Sequence, residues 1–248
     1  MNKIELELIL KKELSPKIYY LVYKSNQKID FEPGQFLNLE VGPRVFRPLS
    51  IAQTQSELPH ELISEMAAES DPKNSFFITF LMNTKPGGPA SNYFEEVECG
   101  TKLLALGPAG RFRLAANDND KVFIATSTGL APFIPMIQSE LDEKPYANVK
   151  VFFGAWEESG LFANLFLKKY LSSEEYPNFK LYNVVENVSN GANGCFPGRV
   201  TTVVPNEIDL NSTNIDFYLC GNPAMIRDMK QILESKNIFN IYTESYGN

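Results

Sequence analysis

Hydrophobic and polar residues alternate over short stretches in the first part of the chain, as in β-strands that bury one face. Proline and glycine separate these stretches, and Pro33-Gly34 is typical of a tight turn in which glycine adopts a positive φ. Many short strands with such turns indicate an antiparallel barrel or sandwich. The predicted strands cover residues 1–10, 18–23, 36–41, 49–52, 61–67, 75–82 and 102–106, and one helix begins near Ala90 and ends by Gly100.

The pattern changes after residue 120, where continuous apolar runs alternate with helical patterns. Such an order predicts β-α-β units and a Rossmann-like parallel sheet. The polar residues 116–120 form the predicted linker, so we expect two domains, 1–115 and 116–248. The predicted strands are 122–125, 149–153, 180–185 and 216–220, with a strand-like run at 241–243, and the predicted helices are 132–141, 161–171 and 224–235.

Composition and charge exclude several classes of partner. The formal net charge of −7 disfavours general binding to phosphate backbones, and no stretch combines lysine and arginine with aromatic residues. We therefore expect no nucleic-acid partner. No apolar run reaches the roughly 18 residues of a membrane-spanning helix, and residues 1–10 lack the pattern of a signal peptide. The expected location is the cytoplasm.

Cysteine and histidine offer little metal chemistry. Cys99, Cys195 and Cys220 lie far apart and form no CxxC pair, so we expect neither a zinc site nor an iron–sulfur cluster. The odd number also fails to suggest a disulfide framework. The single histidine, His60, lies in a polar stretch and is predicted to be a surface residue. Redox chemistry in this chain would therefore need an organic cofactor.

Two loops in the second half follow predicted strands and begin predicted helices. The first contains Thr128, Gly129 and Pro132, and its backbone N–H groups and positive helix end suit a pyrophosphate. An ordinary strand-to-helix turn would have the same features. The second runs from Cys220 to Pro223, where Cys220 is either a buried small hydrophobic residue or a functional thiol. Ligands of open parallel sheets bind at the carboxyl ends of strands, where both loops lie.

Two segments of the first half could also bind anions. Arg47 and Leu49 share one face of a predicted strand, and Pro48 and Ser50 share the other. This arrangement could hold a phosphate through Arg47 and still offer a hydroxyl and an apolar side chain to a ring, although the segment taken alone favours an ordinary exposed arginine on a strand. The glycine-rich residues 87–91 precede the predicted helix and form a second possible anion site.

The ordered set of motifs resembles that of the ferredoxin–NADP⁺ reductase superfamily over nearly the whole chain. The arginine-x-tyrosine-serine flavin motif of that family is similar to residues 47–50, and its preceding proline-glycine-glutamine-aromatic turn is similar to 33–36. Its glycine-x-x-serine loop resembles 88–91, and its glycine-proline-x-glycine barrel end resembles 107–110. Its two nucleotide loops resemble 128–132 and 220–223, and its terminal glutamate-x-aromatic resembles 244–246.

The resemblance implies an antiparallel six-stranded flavin-binding barrel followed by an NAD(P)-binding α/β domain. It implies that Arg47 and the 88–91 loop hold the pyrophosphate of FAD, with FMN less expected, and that NADH or NADPH supplies a hydride. It places Ser50, Cys220 and Glu244 around the reacting atoms and Tyr246 over the flavin face. The cofactor-binding residues it implies are Arg47, Pro48, Leu49, Ser50, Gly88, Ala90, Ser91, Thr128, Gly129, Pro132, Gly221, Pro223 and Tyr246.

Three positions depart from the family pattern. Leu49 stands where the family has an aromatic residue that stacks on the flavin, which removes a contact worth roughly 1 kcal/mol. Ser127 stands where glycine is frequent, and its hydroxyl could donate to a phosphate. The chain continues past Tyr246 by Gly247 and Asn248.

Acidic residues near the predicted strand ends favour NADH over NADPH. Family members that select the 2′-phosphate have basic residues after the second and third strands of this domain. This chain has Trp156, Glu157 and Glu158 after one strand and Glu186 and Asn187 after the other. Carboxylates there would repel a phosphate and could accept hydrogen bonds from a ribose diol.

The resemblance implies ferredoxin, flavodoxin or an oxygenase component as the electron partner. An acidic partner would need a basic patch, for which Arg44, Lys102, Arg111 and Arg113 are candidates. Reduction of free flavin is an alternative. Another is a flavin subunit of a larger complex, similar to that of a dihydroorotate dehydrogenase, although such subunits carry a cysteine cluster that is absent here. A nucleotide-sensing module would bind flavin without turnover by the nicotinamide.

Overall fold

A computed structural model describes residues 2–54, 76–188 and 194–245. The chain divides into two compact units, Met1–Arg113 and Leu114–Asn248, whereas the sequence predicts a boundary between residues 115 and 116. His60, the predicted strand 61–67 and Tyr246 lie outside the described residues. Within the described ranges, no helix is both long and apolar enough to cross a membrane.

The first unit contains an antiparallel sheet. Alternation in its first strand puts Ile4, Leu6 and Leu8 inside and leaves Glu5 and Glu7 to solvent. The spatial order is β4-β3-β7-β1-β2-β6-β5. The strands are β1 (Asn2–Ser15), β2 (Ile18–Ser25), β3 (Phe36–Glu40), β4 (Phe46–Ser50), β5 (Gln53–Thr54), β6 (Phe76–Asn83) and β7 (Lys102–Ala109).

The sheet closes because one chain segment forms both of its edges. Strand β4 pairs with β3, and β5, two residues further along the chain, pairs with β6. The link is hydrogen-bonded on both sides, from the Ile51 N–H to the Gln35 carbonyl (3.0 Å) and from the Ala52 N–H to the Thr79 carbonyl (3.0 Å). Because β4 and β5 act as one bent strand, the seven segments make the predicted six-stranded antiparallel barrel.

The helix of this unit, α1 (Pro89–Glu96), is shorter than the sequence predicts. The prediction that Gly100 ends it is wrong, because Val97 is already extended at φ −61° and ψ 136°. The Lys11 ammonium donates to the Glu95 carbonyl at 2.7 Å and to the Val97 carbonyl at 3.1 Å. A cation there satisfies carbonyls that the helix end leaves without partners.

The second unit is the predicted parallel α/β sheet, with strand order β11-β10-β9-β8-β12-β13. Every described pair of neighbouring strands is parallel. Its strands are β8 (Asp120–Thr126), β9 (Val149–Ala155), β10 (Phe179–Val185), β11 (Phe196–Pro197), β12 (Ile215–Gly221) and β13 (Ile241–Ser245). Its helices are α2 (Phe133–Glu143), α3 (Ala163–Leu171), α4 (Val200–Glu207) and α5 (Pro223–Ser235).

Helix α4 and strand β11 have no counterpart in the sequence prediction. Residues 200–204 are valine and threonine, and Pro205 lies within the helix, a composition that does not favour helix formation. The helix forms because Val200, Val203 and Val204 are buried against Phe152 and Val184 of the sheet. Tertiary burial therefore overrides local propensity at this position.

A buried ion pair anchors the predicted linker to the sheet. Lys121 and Asp216 are both 0% exposed and lie 3.2 Å apart on paired positions of β8 and β12. The Lys121 ammonium also donates to the Asn117 side-chain oxygen (2.7 Å) and to the Asn119 carbonyl (2.8 Å). Asn119 donates to the second Asp216 oxygen at 2.9 Å. The predicted linker, residues 116–120, is thus fixed to the sheet by the hydrogen bonds that join Asn117 and Asn119 to the buried pair of Lys121 and Asp216.

Candidate functional site

The loop after β8 lies at the carboxyl edge of the parallel sheet. It continues as a short 3₁₀ helix, Ser127–Leu130, and reaches α2 through Pro132. Ser127 has φ +54°, a left-handed conformation that glycine adopts without strain. Thr128 and Gly129 are buried, and no side chain caps the start of α2. Pro132, the residue that precedes the first turn of that helix, has no side-chain acceptor to offer its N–H groups.

Gly129 packs directly on the backbone at the end of β12. A β-carbon at Gly129 would lie 2.5 Å from the Cys220 carbonyl carbon and 2.6 Å from the Gly221 nitrogen. Gly221, at φ +130°, packs in the same way on β8, where a β-carbon would lie 2.6 Å from the Thr126 carbonyl oxygen. The two loops are therefore in backbone contact at the sheet edge, and no side chain fits between them.

Hydrogen bonds to the Asn222 side chain and to Thr126 of β8 fix the loop after β12. The Asn222 N–H donates to the Thr126 hydroxyl at 2.9 Å. The Asn222 side-chain oxygen accepts from the N–H groups of Ala224 (2.8 Å) and Met225 (3.4 Å), and Pro223 occupies the first turn of α5. Because α5 is capped and α2 is not, the α2 loop is the better anion site of the two.

Cys220 and Glu244 are paired residues of neighbouring strands. They occupy matching positions of β12 and β13, and parallel strands lie about 4.8 Å apart. Cys220 is fully buried and Glu244 is half-buried. Tyr246, the third residue predicted here, lies outside the described range.

An ion pair at the ends of β10 and α4 joins a predicted acidic residue to an unpredicted basic one. The Arg199 guanidinium donates to Glu186 at 2.5 Å, and this hydrogen bond raises the arginine pKa. Both side chains lie at the carboxyl edge, because Glu186 follows β10 and Arg199 precedes α4. Arg199 was missed because the strand and helix around it were not recognised.

In the barrel unit, the 47–50 motif divides between solvent and core. Arg47 is exposed, and its guanidinium donates to the Phe46 carbonyl at 2.9 Å. No carboxylate among the described residues forms an ion pair with it. Leu49 is 7% exposed and belongs to the barrel core, while Ser50, also buried, follows it in the strand. Pro48 is exposed.

The glycine loop before α1 is open. Gly87 has φ +76° and Gly88 has φ +94°, and a β-carbon on either would meet nothing within 4 Å. The Ser91 hydroxyl donates to the Gly87 carbonyl at 2.9 Å, which fixes the loop against the helix. Gly88 supplies no capping side chain, so the N–H groups of Ala90 and Ser91 have no side-chain acceptor there. This arrangement fits a phosphate group.

Lys102, one of the four candidates for a basic patch, lies apart from Arg111. Strand β7 separates Lys102 from Arg111 by its full length, roughly 25 Å of extended chain. Lys102 bonds Glu5 at 3.3 Å, and Arg113 bonds Glu32 at 2.5 Å. Opposite charges therefore neutralise two of the four predicted cations.

Neither the surface hollow of the second unit nor a cluster of metal-binding side chains indicates a further site among the described residues. A hollow of about 440 Å³ lies at the amino edge of the parallel sheet, between residues 114–118 and the end of α2. It is therefore at the opposite end of the strands from the two loops. In the described ranges, no group of three or more His, Cys, Asp or Glu residues could hold a metal ion.

Comparison with known proteins supports the assignment of the second unit. Residues 123–231 match the family described as the oxidoreductase NAD-binding domain. The chain is 27% identical over 227 residues to the anthranilate 1,2-dioxygenase electron transfer component of Acinetobacter baylyi, covering 89% of this chain and 59% of that protein. It spans about three fifths of the length of the curated relatives it matches.

Two solved structures share the fold of the whole chain. The Amycolatopsis cytochrome P450 reductase GcoB has a TM-score of 0.81 at 21% identity, covering 99% of this chain and 70% of that one. A Neisseria gonorrhoeae ferredoxin NADP⁺ reductase with bound FAD and NADP has a TM-score of 0.74 at 19% identity, covering 99% of both chains. With its closed barrel and its parallel sheet, the chain has the fold of these two structures, and its second unit is similar to the oxidoreductase NAD-binding domain.

Proposed function

We propose that the protein is an FAD-dependent NAD(P)H oxidoreductase that passes electrons to a one-electron carrier, either a ferredoxin, a flavodoxin or an oxygenase component. The observation that carries the proposal is the backbone contact between the loops that contain Gly129 and Cys220, at the carboxyl edge of an NAD-binding domain. The relative from Acinetobacter is named as an electron transfer component of a dioxygenase, which favours an oxygenase system.

The nicotinamide nucleotide would bind at the α2 loop. Thr128 and Gly129 would face its pyrophosphate with backbone N–H groups, and Pro132 fixes the approach of the helix without the loss of a hydrogen bond. Gly221 and Pro223 would line the other side of the same edge. The uncapped start of α2 supports this assignment, since an anion there meets a positive helix end.

FAD would bind to the barrel unit. Arg47 would provide a charged, geometrically specific contact to its pyrophosphate, and the N–H groups of Ala90 and Ser91 behind Gly88 would provide neutral ones. Pro48, Leu49 and Ser50 would lie along the isoalloxazine ring. Bound FAD supplies the acceptance of a hydride and the release of electrons singly or together. The open loop and the guanidinium of Arg47, which forms no ion pair with a described carboxylate, support FAD over FMN, because FAD has the pyrophosphate.

Cys220, Glu244, Ser50 and Tyr246 are the residues proposed to contact the reacting rings. A fully buried thiol presents a small, weakly polar surface from which water is excluded. Glu244, next to it on β13, could hold a proton or accept a hydrogen bond beside the nicotinamide. Their function would be to position the rings at reaction distance, since the redox chemistry belongs to the cofactors.

NADH is the proposed preferred donor. Arg199 lies next to the predicted acidic residue Glu186, which already neutralises its charge. A 2′-phosphate would have to displace Glu186 to reach Arg199, whereas a ribose diol could hydrogen-bond to that carboxylate.

We also propose the cytoplasm as the location, which fits the three free cysteines of the chain.

Retention of FAD by Arg47 variants tests the flavin assignment. Arg47→Gln should release FAD more readily, with a dissociation constant raised roughly tenfold or more, because a charged hydrogen bond to phosphate is lost. Arg44→Gln, a change of the same kind in the adjacent turn, should leave FAD binding unchanged. Equal FAD affinity in both variants and the wild type would contradict the assignment of Arg47.

A further inference from the structure

Trp156 is a large aromatic side chain that the fold leaves in solvent. It is the only tryptophan of the chain, and it is 61% exposed. Within the described residues, its ring contacts no other aromatic ring and its indole N–H donates no hydrogen bond. It therefore contributes little to the core, and burial does not explain why this residue type stands here.

The backbone fixes Trp156 at the carboxyl edge of the sheet. Two hydrogen bonds join the chain where β9 and β10 end: the Glu186 N–H donates to the Ala155 carbonyl at 3.1 Å, and the Asn187 N–H donates to the Trp156 carbonyl at 2.8 Å. The loop of Thr128 and Gly129 lies at the end of β8, which is the next strand in the sheet. Trp156 thus shares an edge with the proposed pyrophosphate site.

Trp156 and Glu186 directly follow two strands that pair with each other. The last paired positions of β9 and β10 are Ala155 and Val185. Glu186 is in turn paired with Arg199. Trp156 therefore lies at the same edge of the sheet as the pair of Glu186 and Arg199.

We propose that Trp156 is the stacking platform for the adenine ring of the nicotinamide nucleotide, a role that rests on the proposed function. A pyrophosphate at the α2 loop on β8 puts the adenosine half one or two strands away, about 5–10 Å, which is where Trp156 lies. Adenine stacks on an indole face without needing a specific hydrogen bond. Glu186, on the same edge, would face the ribose that the adenine carries.

The first experiment titrates the FAD-loaded protein with 5′-AMP and follows tryptophan emission. Because Trp156 is the sole tryptophan, any change in emission reports on this residue alone. We expect saturable quenching by 5′-AMP and none by nicotinamide mononucleotide, which lacks adenine. Unchanged emission at saturating 5′-AMP, with binding demonstrated by calorimetry, would overturn the proposal.

Variants give a second, independent readout. Trp156→Ala should raise the calorimetric dissociation constant for 5′-AMP by roughly fivefold or more and raise the KM for NADH with kcat unchanged. Trp156→Phe, which retains a ring, should lie near the wild type. Phe239→Ala removes another exposed ring, 73% exposed, and should change neither value. Equal constants for Trp156→Ala and the wild type would overturn the proposal.

The outcomes separate this inference from the proposed function. If NADH reduces the bound flavin but Trp156→Ala binds 5′-AMP normally, the adenine platform is wrong and the reductase assignment stands. If NADH leaves the flavin oxidised but 5′-AMP quenches Trp156, the nucleotide site is real and the reductase assignment is wrong.

Discussion

Gly129 and Cys220, on loops that follow different strands, are in backbone contact. A β-carbon on Gly129 would lie 2.5 Å from the carbonyl carbon of Cys220, closer than β-carbons approach any atom in proteins. The obstructing atoms are backbone atoms of a central strand and cannot rotate away. Gly221, which follows Cys220, is packed in the same way on β8, where a β-carbon on it would lie 2.6 Å from the carbonyl oxygen of Thr126. The loop of Gly129, which we propose binds the nucleotide, and the strand that contains Cys220 therefore hold each other in place.

Gly129→Ala should be strongly destabilising, by more than about 3 kcal/mol, because backbone must move to admit the methyl group. The matched variant is Gly154→Ala, whose β-carbon would meet the Val200 methyl group at 2.9 Å, a side-chain contact that can adjust. It should lose only about 1–2 kcal/mol. Urea unfolding of the two variants checks the order, and equal losses would show that the Gly129 contact is not rigid.

The buried pair of Lys121 and Asp216 should be costly to break on one side. Lys121→Met leaves a buried carboxylate without its cation and should lose about 3–5 kcal/mol of unfolding free energy. The double variant Lys121→Met with Asp216→Leu should lose less than the sum of the two single changes. Denaturant titration of the three variants measures this coupling.

Lys144 provides the control for that prediction. Its ammonium bonds the same linker, at the Asn117 carbonyl (3.0 Å) and Asp118 (2.8 Å), but its side chain is 40% exposed. Lys144→Met should therefore lose less than about 1 kcal/mol. A loss as large as that of Lys121→Met would mean that burial is not what makes the Lys121 network strong.

Glu186→Gln should shift nucleotide preference towards NADPH. Without the carboxylate, Arg199 keeps its charge and becomes available to a 2′-phosphate, so the ratio of kcat/KM for NADPH to that for NADH should rise about three- to tenfold. Glu234→Gln, which loses a comparable exposed pairing with Lys230 at the far end of α5, should leave the ratio unchanged. An unchanged ratio in Glu186→Gln would remove Glu186 and Arg199 from nucleotide selection.

The pair of Lys17 and Glu95 should contribute stability only at intermediate pH. Its 2.7 Å hydrogen bond lowers the pKa of Glu95 below 4.5 and raises the pKa of Lys17 above 10.5. A lowered carboxylate pKa contributes stability that is present above the unfolded value and is lost as the pH falls through the folded one. A raised lysine pKa contributes stability below its unfolded value, which is lost at alkaline pH.

Thermal unfolding of Glu95→Gln tests this window. Its Tm should lie below that of the wild type between about pH 6 and 9, and the gap should close in acid as Glu95 of the wild type becomes protonated. The adjacent exposed Glu96→Gln is the control and should show no gap at any of these pH values. A gap that persists at about pH 3 would assign the effect to packing and not to charge.

The order of most strands and helices could be predicted from the sequence, because alternation, apolar runs and turn residues are local patterns. Strands β2 and β3 begin at the predicted residues, Ile18 and Phe36, since alternation and the turn at Gly34 mark them. Helix α4 could not be read in this way. Its valines and threonines favour strands, and only burial against Phe152 makes them helical.

In the candidate site, too, local motifs could be predicted from the sequence, whereas contacts between distant residues could not. Gly129 and Cys220 were found because each belongs to a loop motif, but their contact depends on how β8 pairs with β12, which local sequence does not encode. Arg199 and the network of Lys121 depend on partners 13 and 95 positions away in the chain. Such pairs become visible only when the sheet order is known.

Anaerobic stopped-flow absorbance of the FAD-loaded protein mixed with NADH tests the central claim most directly. We expect rapid bleaching of the flavin absorbance band near its visible maximum, faster with NADH than with NADPH at equal concentration. A protein that takes up no FAD, or whose flavin band stays unchanged with both nucleotides, would contradict it.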